Sequence, residues 1–148
     1  MITLRTIDES LLTSILSIEE QAHSHPWSKA NILSAIASKR TTVMGAFFGE
    51  QLAGYAVFDC VIDEASLQNL SVHPKFQRKG IGRQLVQSIF EEYPQTQHVF
   101  LEVRISNKPA IALYEAMEFA ELGVRPNYYP SKNGGKEDAL LMALSRID

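Results

Sequence analysis

Asn69–Arg83 reads NLSVHPKFQRKGIGR, and the chain changes character twice within it. Leu70 and Val72 alternate with polar neighbours as in a half-buried strand, Pro74 ends strand pairing, and from Ile81 the apolar residues Ile81, Leu85, Val86, Ile89 and Phe90 recur at helical spacing. Strand, loop and helix follow in that order. The loop carries Gln77, Arg78, Lys79, Gly80 and Gly82, with Arg83 beside it. Unpaired backbone N–H groups and the positive end of the helix dipole converge there with three cationic side chains, which makes the segment a candidate anion cradle. A dinucleotide fingerprint does not fit, because Leu85 stands where its third glycine belongs; nor does a triphosphate loop, because no Gly-Lys-Ser/Thr follows. A solvated basic turn at an ordinary helix start is the reading that the loop by itself leaves open.

Upstream, Thr42–Phe48 and Leu52–Phe58 are apolar-rich runs separated by Gly49-Glu50-Gln51, which predicts a hairpin. Ala65–Val72 supplies a further antiparallel partner and delivers the chain to the cradle. Cys60 has no basic neighbour in sequence to activate it and reads as a packing residue. Met1–Arg5 predicts an edge strand, and Asp8 is placed to cap a helix running to about Ala22 whose apolar residues are Leu11, Leu12, Ile15, Leu16 and Ile18. In His23-Ser24-His25-Pro26-Trp27-Ser28, Pro26 breaks that helix and Ser28 caps a second one containing Ile32, Leu33 and Ile36. Trp27 either plugs the gap between the two helices, with the histidines solvated, or forms a wall for a substrate.

Downstream, His98–Arg104 alternates with Val99, Leu101 and Val103 on one face and Phe100, Glu102 and Arg104 on the other. A carboxylate in a central strand must be paired, hydrated or functionally poised, so Glu102 is either a candidate acid or base or one half of a salt bridge to Arg104 or a neighbouring strand. Asn107 caps the next helix, and Pro109 is tolerated in its first turn. Ala110, Ile111, Tyr114 and Met117 share a face of it, so the Tyr114 hydroxyl needs a partner, which could be an ordinary backbone carbonyl. Arg125–Pro130 reads as an aromatic loop, Lys132–Lys136 as a turn and Asp138–Leu144 as a closing strand.

The 148 residues are 45% hydrophobic and 21% charged, which fits one globular domain spanning residues 1–148. The net charge of -3 argues against a general nucleic-acid binder, while the local basic cluster suits a small polyanion. One cysteine excludes an internal disulfide and a multi-cysteine metal site. The polar start MITLRTIDES and the lack of a long apolar run predict a cytoplasmic location away from membranes.

Gln77-Arg78-Lys79-Gly80-Ile81-Gly82 resembles the Q/R-x-x-G-x-G/A loop of GCN5-related N-acetyltransferases, where it grips the pyrophosphate of acetyl-coenzyme A. The segments HSHPWS, DEASLQNLSVHPKFQRKGIGR, LEVRISNKPAIALYEAMEF and NYYP with EDALLMAL extend the likeness over nearly the whole chain. Together they resemble the RimI family, bacterial acetyltransferases acting on the N-terminal alanine of small-subunit ribosomal protein eighteen. The resemblance implies an α/β (α+β) GNAT fold: a mixed, mostly antiparallel central sheet of about seven strands with helices on both faces. It implies acetyl-coenzyme A as co-substrate without a metal, and as partner the N-terminus of a ribosomal protein, a peptide beginning Ala-Arg-Tyr-Phe, with no direct contact to nucleic acid. In that family the general base and general acid fall on the residues that are Glu102 and Tyr114 here. Leu70, Ser71 and Val72 would meet the acetyl and pantetheine groups. Gln77, Arg78, Lys79, Gly80, Ile81, Gly82 and Arg83 would hold the pyrophosphate, Asn107 would contact the cofactor, and His23, Trp27, Tyr128 and Tyr129 would line the peptide. Alternatives are an acetyltransferase for lysine or small amines and a non-catalytic acyl-coenzyme A sensor. Glu118 departs from the family pattern, which commonly has glycine there, and must accept a left-handed angle or end its helix differently.

Overall fold

A computed structural model describes residues 1–131 and 134–146. The chain runs β1 (Ile2–Thr6), α1 (Leu12–Ala22), α2 (Lys29–Ala37), β2 (Thr41–Phe48), β3 (Gln51–Val61), β4 (Glu64–Val72), α3 (Ile81–Glu92), β5 (His98–Arg104), α4 (Lys108–Ala116), β6 (Ala120–Pro130) and β7 (Lys136–Ser145). The strands form one seven-stranded sheet in the order β1-β2-β3-β4-β5-β7-β6, antiparallel throughout except where β4 meets β5. The expected fold class is borne out. Gly49, at φ +62°, turns the β2–β3 hairpin, and Asp8 caps a short 3₁₀ turn that leads into α1.

Each face of the sheet has its own core. Leu85, Val86 and Ile89 of α3 and Ile111 of α4 pack on Phe58, Leu67 and Leu101, while Ile15, Ile18 and Ile32 of α1 and α2 pack on Val43, Phe47 and Val57. Burying each such side chain contributes about 1.5–3 kcal/mol.

A bulge decides what β4 offers to each face. Between the pairs Phe58↔Leu67 and Val57↔Asn69 the extra residue is Gln68. The alternation therefore shifts by one: Leu67, Leu70 and Val72 pack on the α3 side, and Asn69 and Ser71 point toward α1. Parallel pairing of β4 with β5 starts at Glu64↔His98 and stops at Leu67↔Leu101. Beyond that point the two strands part, and the sheet has a gap in its middle.

Arg125–Pro130 is not a loop. It is the second half of β6, an edge strand with a register shift between Arg125 and Tyr129, after which pairing resumes at Tyr129↔Glu137. Pro126 is compatible with an edge strand at a bulge, Asn127 sits at φ +52°, and its N–H donates to Asp138 Oδ1 at 2.9 Å. The closing strand also begins earlier than expected, at Lys136, and lies between β5 and β6. Of the expected turn, Lys132 and Asn133 lie outside the described residues. Among the described residues no helix is long and apolar enough to cross a membrane.

Candidate active site

The gap between β4 and β5 is a cavity of about 200 Å³ whose lining includes Leu70, Glu102, Tyr114, Asn107, Trp27 and Tyr129. Glu102 lies on the strand face opposite Leu101 and Val103, which pack toward α3 and α4. Tyr114 reaches the same cavity from α4, on the other side of the sheet. The gap thus brings an acid and a phenol together from two faces.

Glu102 is partly exposed and pairs with Arg125 of β6 at 3.2 Å, not with Arg104, which pairs with Glu137 at 3.2 Å. Both arginines also lie over aromatic rings, Arg125 over Tyr128 at 4.7 Å and Arg104 over Tyr129 at 4.5 Å. Tyr128 and Tyr129 are packed edge to face at 4.9 Å between centroids. A second cavity of about 340 Å³, lined by Gln68, Phe100, Glu102, Leu122, Tyr128 and Tyr129 among others, continues from the first along this face. Burial, and then the neighbouring Tyr129, push the Tyr114 hydroxyl well above the ordinary phenol range, so it keeps its proton at neutral pH. No group among the described residues hydrogen-bonds that hydroxyl, which sets aside the expected backbone-carbonyl partner. Burial, followed by Glu102, raises Tyr129 as well.

At the far end of β4 the basic loop is bent by two left-handed residues, Arg78 at φ +64° and Gly80 at φ +78°. Gly80 is the N-cap of α3, and a Cβ built there meets nothing within 4 Å. That open approach to the first N–H groups of a helix fits an incoming pyrophosphate. Arg78, Lys79 and Arg83 are exposed and have no ion-pair partner among the described residues. Gln77 differs: its amide donates to the Val72 carbonyl at 3.1 Å and braces the loop against β4. Ile81 is buried, so only its backbone faces the cradle. Gly82 sits close to α4: a Cβ there would come to 3.0 Å from Leu113 Cδ2, which would have to shift to admit it. Asn107 caps α4 through Ala110 N–H at 3.3 Å and lines the cavity.

His23 and Trp27 also line the cavity. His23 Nε2 is 2.7 Å from Ser71 Oγ, so the Ser71 side chain is engaged with α1 and only its backbone is left for the gap. Trp27 packs beside the α1–α2 core and also lines the cavity. The sequence reading missed Glu19, His25 and Gln68, which also line the cavity, and Tyr55 beneath it. Glu19 had one visible signal: it falls on the apolar stripe of α1, four residues after Ile15.

A sequence model of the acetyltransferase (GNAT) family matches residues 9–119. The chain belongs to that family. Within the GNAT family it is 38% identical, over 97% of each chain, to the [ribosomal protein bS18]-alanine N-acetyltransferase of Escherichia coli and 39% identical to that of Salmonella typhimurium with the same coverage. The crystal structure of the ribosomal-protein-S18-alanine N-acetyltransferase from Escherichia coli superposes with a TM-score of 0.88 at 37% identity, covering 100% of this chain and 97% of that one.

Proposed function

We propose that this GNAT enzyme acetylates the α-amine of the N-terminal alanine of ribosomal protein bS18, the reaction for which its relatives are named, with acetyl-coenzyme A as donor. The observation that carries the proposal is the gap in the sheet, which collects Glu102 and Tyr114 in one cavity walled in part by Trp27 and Tyr129. When bound, acetyl-coenzyme A supplies an activated thioester. Arg78, Lys79, Arg83 and the N–H groups opening α3 hold its pyrophosphate, and the backbone of Leu70–Val72 borders the thioester.

Transfer to an amine needs a base, a carbonyl-polarising group and an acid for the departing sulfur. Glu102, directly or through a water, takes the ammonium proton; Arg125, its one partner among the described residues, leaves it acceptor capacity toward the cavity. Backbone N–H groups near Leu70–Val72 polarise the carbonyl. Tyr114, which keeps its proton, delivers it to the thiolate. An α-amine of pKa about 7.8 has several hundred times more neutral form at pH 7 than a lysine of pKa about 10.4, so a single carboxylate suits a protein N-terminus. Tyr128, Tyr129 and Trp27 wall the first residues of the peptide, with aromatic faces and the nearby Glu102 suited to basic and aromatic side chains.

The test is tandem mass spectrometry of a peptide beginning Ala-Arg-Tyr-Phe and carrying an internal lysine, incubated with the protein and acetyl-coenzyme A. The acetyl group is expected on the α-amine alone, and a blocked N-terminus is expected to abolish transfer. Modification chiefly of the lysine, or equal transfer to unrelated small amines, overturns the assignment.

A further inference from the structure

Helix α1 places a charge where its apolar stripe should continue. Ile15 and Ile18 are buried, and Glu19 beside them is only 1% exposed. A carboxylate out of water persists only when its lone pairs are filled. Here they are. Oε1 accepts from the Tyr55 hydroxyl of β3, from Asn69 Nδ2 at 2.9 Å and from Ser71 Oγ at 3.1 Å on β4, and Oε2 accepts from the Trp27 N–H at 2.7 Å. His23 Nε2 lies 3.8 Å from the same carboxylate.

The proton inventory of this cluster has a consequence for His23. Ser71 owns one hydroxyl hydrogen, and it is directed at Glu19, or at Asn69 Oδ1 at 3.3 Å. With the Ser71 hydrogen on the carboxylate, the 2.7 Å contact between His23 Nε2 and Ser71 Oγ has His23 as its donor, and the buried acid then orients the ring. Three donors, from Tyr55, Asn69 and Ser71, converge on Oε1, and the main-chain N–H of Trp27 takes one acceptor position of Oε2. Held by four donors and only 1% exposed, Glu19 is badly placed to remove a proton from a substrate, unlike the partly exposed Glu102. What it can do is tie three borders of the cleft to one point: α1, the loop from His23 to Trp27, and the part of β4 beyond its bulge.

We propose that Glu19 is a positioning residue for the peptide side of the reaction. It fixes where Trp27 and His23 stand over the cavity and, through Asn69 and Ser71, keeps them in register with the free edge of β4. The inference rests on the assignment of this cleft to peptide acetylation, but one arm of its test needs no turnover. Trp27 is the chain's single tryptophan, so emission excited selectively from tryptophan reports on the loop.

In Glu19→Gln an amide NH₂ faces either the Trp27 N–H or the side-chain donors, so the loop loses its anchor. The expected result is a rise of about tenfold in KM for the peptide with KM for acetyl-coenzyme A within about twofold, and Trp27 emission that is red-shifted and more readily quenched by acrylamide. Because Glu19 acts through Trp27, the same change in a Trp27→Ala background is expected to cost less than about threefold. Equal losses in both backgrounds, parallel rises in both KM values, or unchanged Trp27 emission each overturn the proposal. Should Glu19→Gln not fold, Tyr55→Phe keeps the ring and removes one donor. A rise of about threefold confined to the peptide KM, with shifted Trp27 emission, is then expected, and neither change overturns the role. If the unaltered protein leaves the peptide unmodified, the functional assignment falls, and the fluorescence arm still decides whether Glu19 holds the loop.

Discussion

The basic end of the proposed cleft is contiguous chain: its cations, glycines and helix N–H groups all lie between Gln77 and Arg83. The end proposed for the peptide is not: Glu19, Trp27, Tyr55, Asn69 and Ser71 come from helix α1, the loop after it and two strands, and meet on one buried carboxylate. The first end depends on local backbone geometry, so a substitution there acts where it is made. The second depends on side chains far apart in sequence, so a substitution at one spreads to the others. Glu102 and Tyr114 line the cavity that the proposal sets between the two ends, and there the largest effects are expected.

Glu102→Gln is expected to lower turnover by about 10²–10⁴-fold, with partial recovery as pH rises through the α-amine pKa of about 7.8 and more of the substrate becomes neutral. Steady-state kinetics from pH 6 to 9, a span of roughly that width around the amine pKa, tests this. A normal rate across that span removes Glu102 from the chemistry. Tyr114→Phe is expected to cost about 10–10²-fold in turnover with little change in acetyl-coenzyme A affinity, since only the proton donor is lost. A loss of affinity instead, read by calorimetry, would make Tyr114 a binding residue.

Gly80→Glu probes the basic end alone. The new side chain fills the open approach over the α3 N-cap, must hold φ +78° and repels phosphate, so acetyl-coenzyme A affinity is expected to fall by about tenfold or more. Trp27 emission should stay as it was. A folded variant that binds normally removes this loop from the ligand site, and a shifted Trp27 emission would mean that the two ends are not independent.

Glu118→Gly is outside both ends and should have the smallest effect. Glu118 sits at φ +73°, with its N–H on the Glu115 carbonyl and Phe119 N–H on the Tyr114 carbonyl, the helix ending in which glycine is usual. Releasing that angle is expected to stabilise the fold by about 1 kcal/mol, measured as a higher urea midpoint with unchanged turnover. A lower midpoint would mean that the carboxylate has a role in holding the turn.

What could be read from the sequence follows the same division. The basic loop, the alternation of β5, the caps Ser28 and Asn107 and the apolar stripe of α3 are local patterns, and each appears where it was expected. Arg125–Pro130 was misread because Pro126 and Asn127 are loop-forming residues, while the pairing with β7 that makes the segment a strand is a tertiary fact. Glu102 was recognised as poised or paired, but Arg125, two strands away in the sheet, could not be named as its partner. The cluster on Glu19 joins residues up to 52 positions apart, and nothing in the spacing of Tyr55, Asn69 and Ser71 points to it. The bulge at Gln68, which turns Asn69 and Ser71 toward α1, leaves no composition signal at all.

The parting of β4 from β5 after Leu67↔Leu101 also bears on how the molecule holds together. Among the described residues, main-chain groups from Gln68 to Val72 have no strand partner on that side, and amides of this kind exchange readily with solvent. A donor lying along β4, as proposed, would complete the hydrogen bonding that the strands leave undone. By mass action, ligand at about 100 times its dissociation constant would add about 2.7 kcal/mol to the folded state. The slowing of deuterium uptake on adding acetyl-coenzyme A is then expected to be concentrated in the segment after the bulge, where the middle of the sheet would gain firmness from its acyl donor.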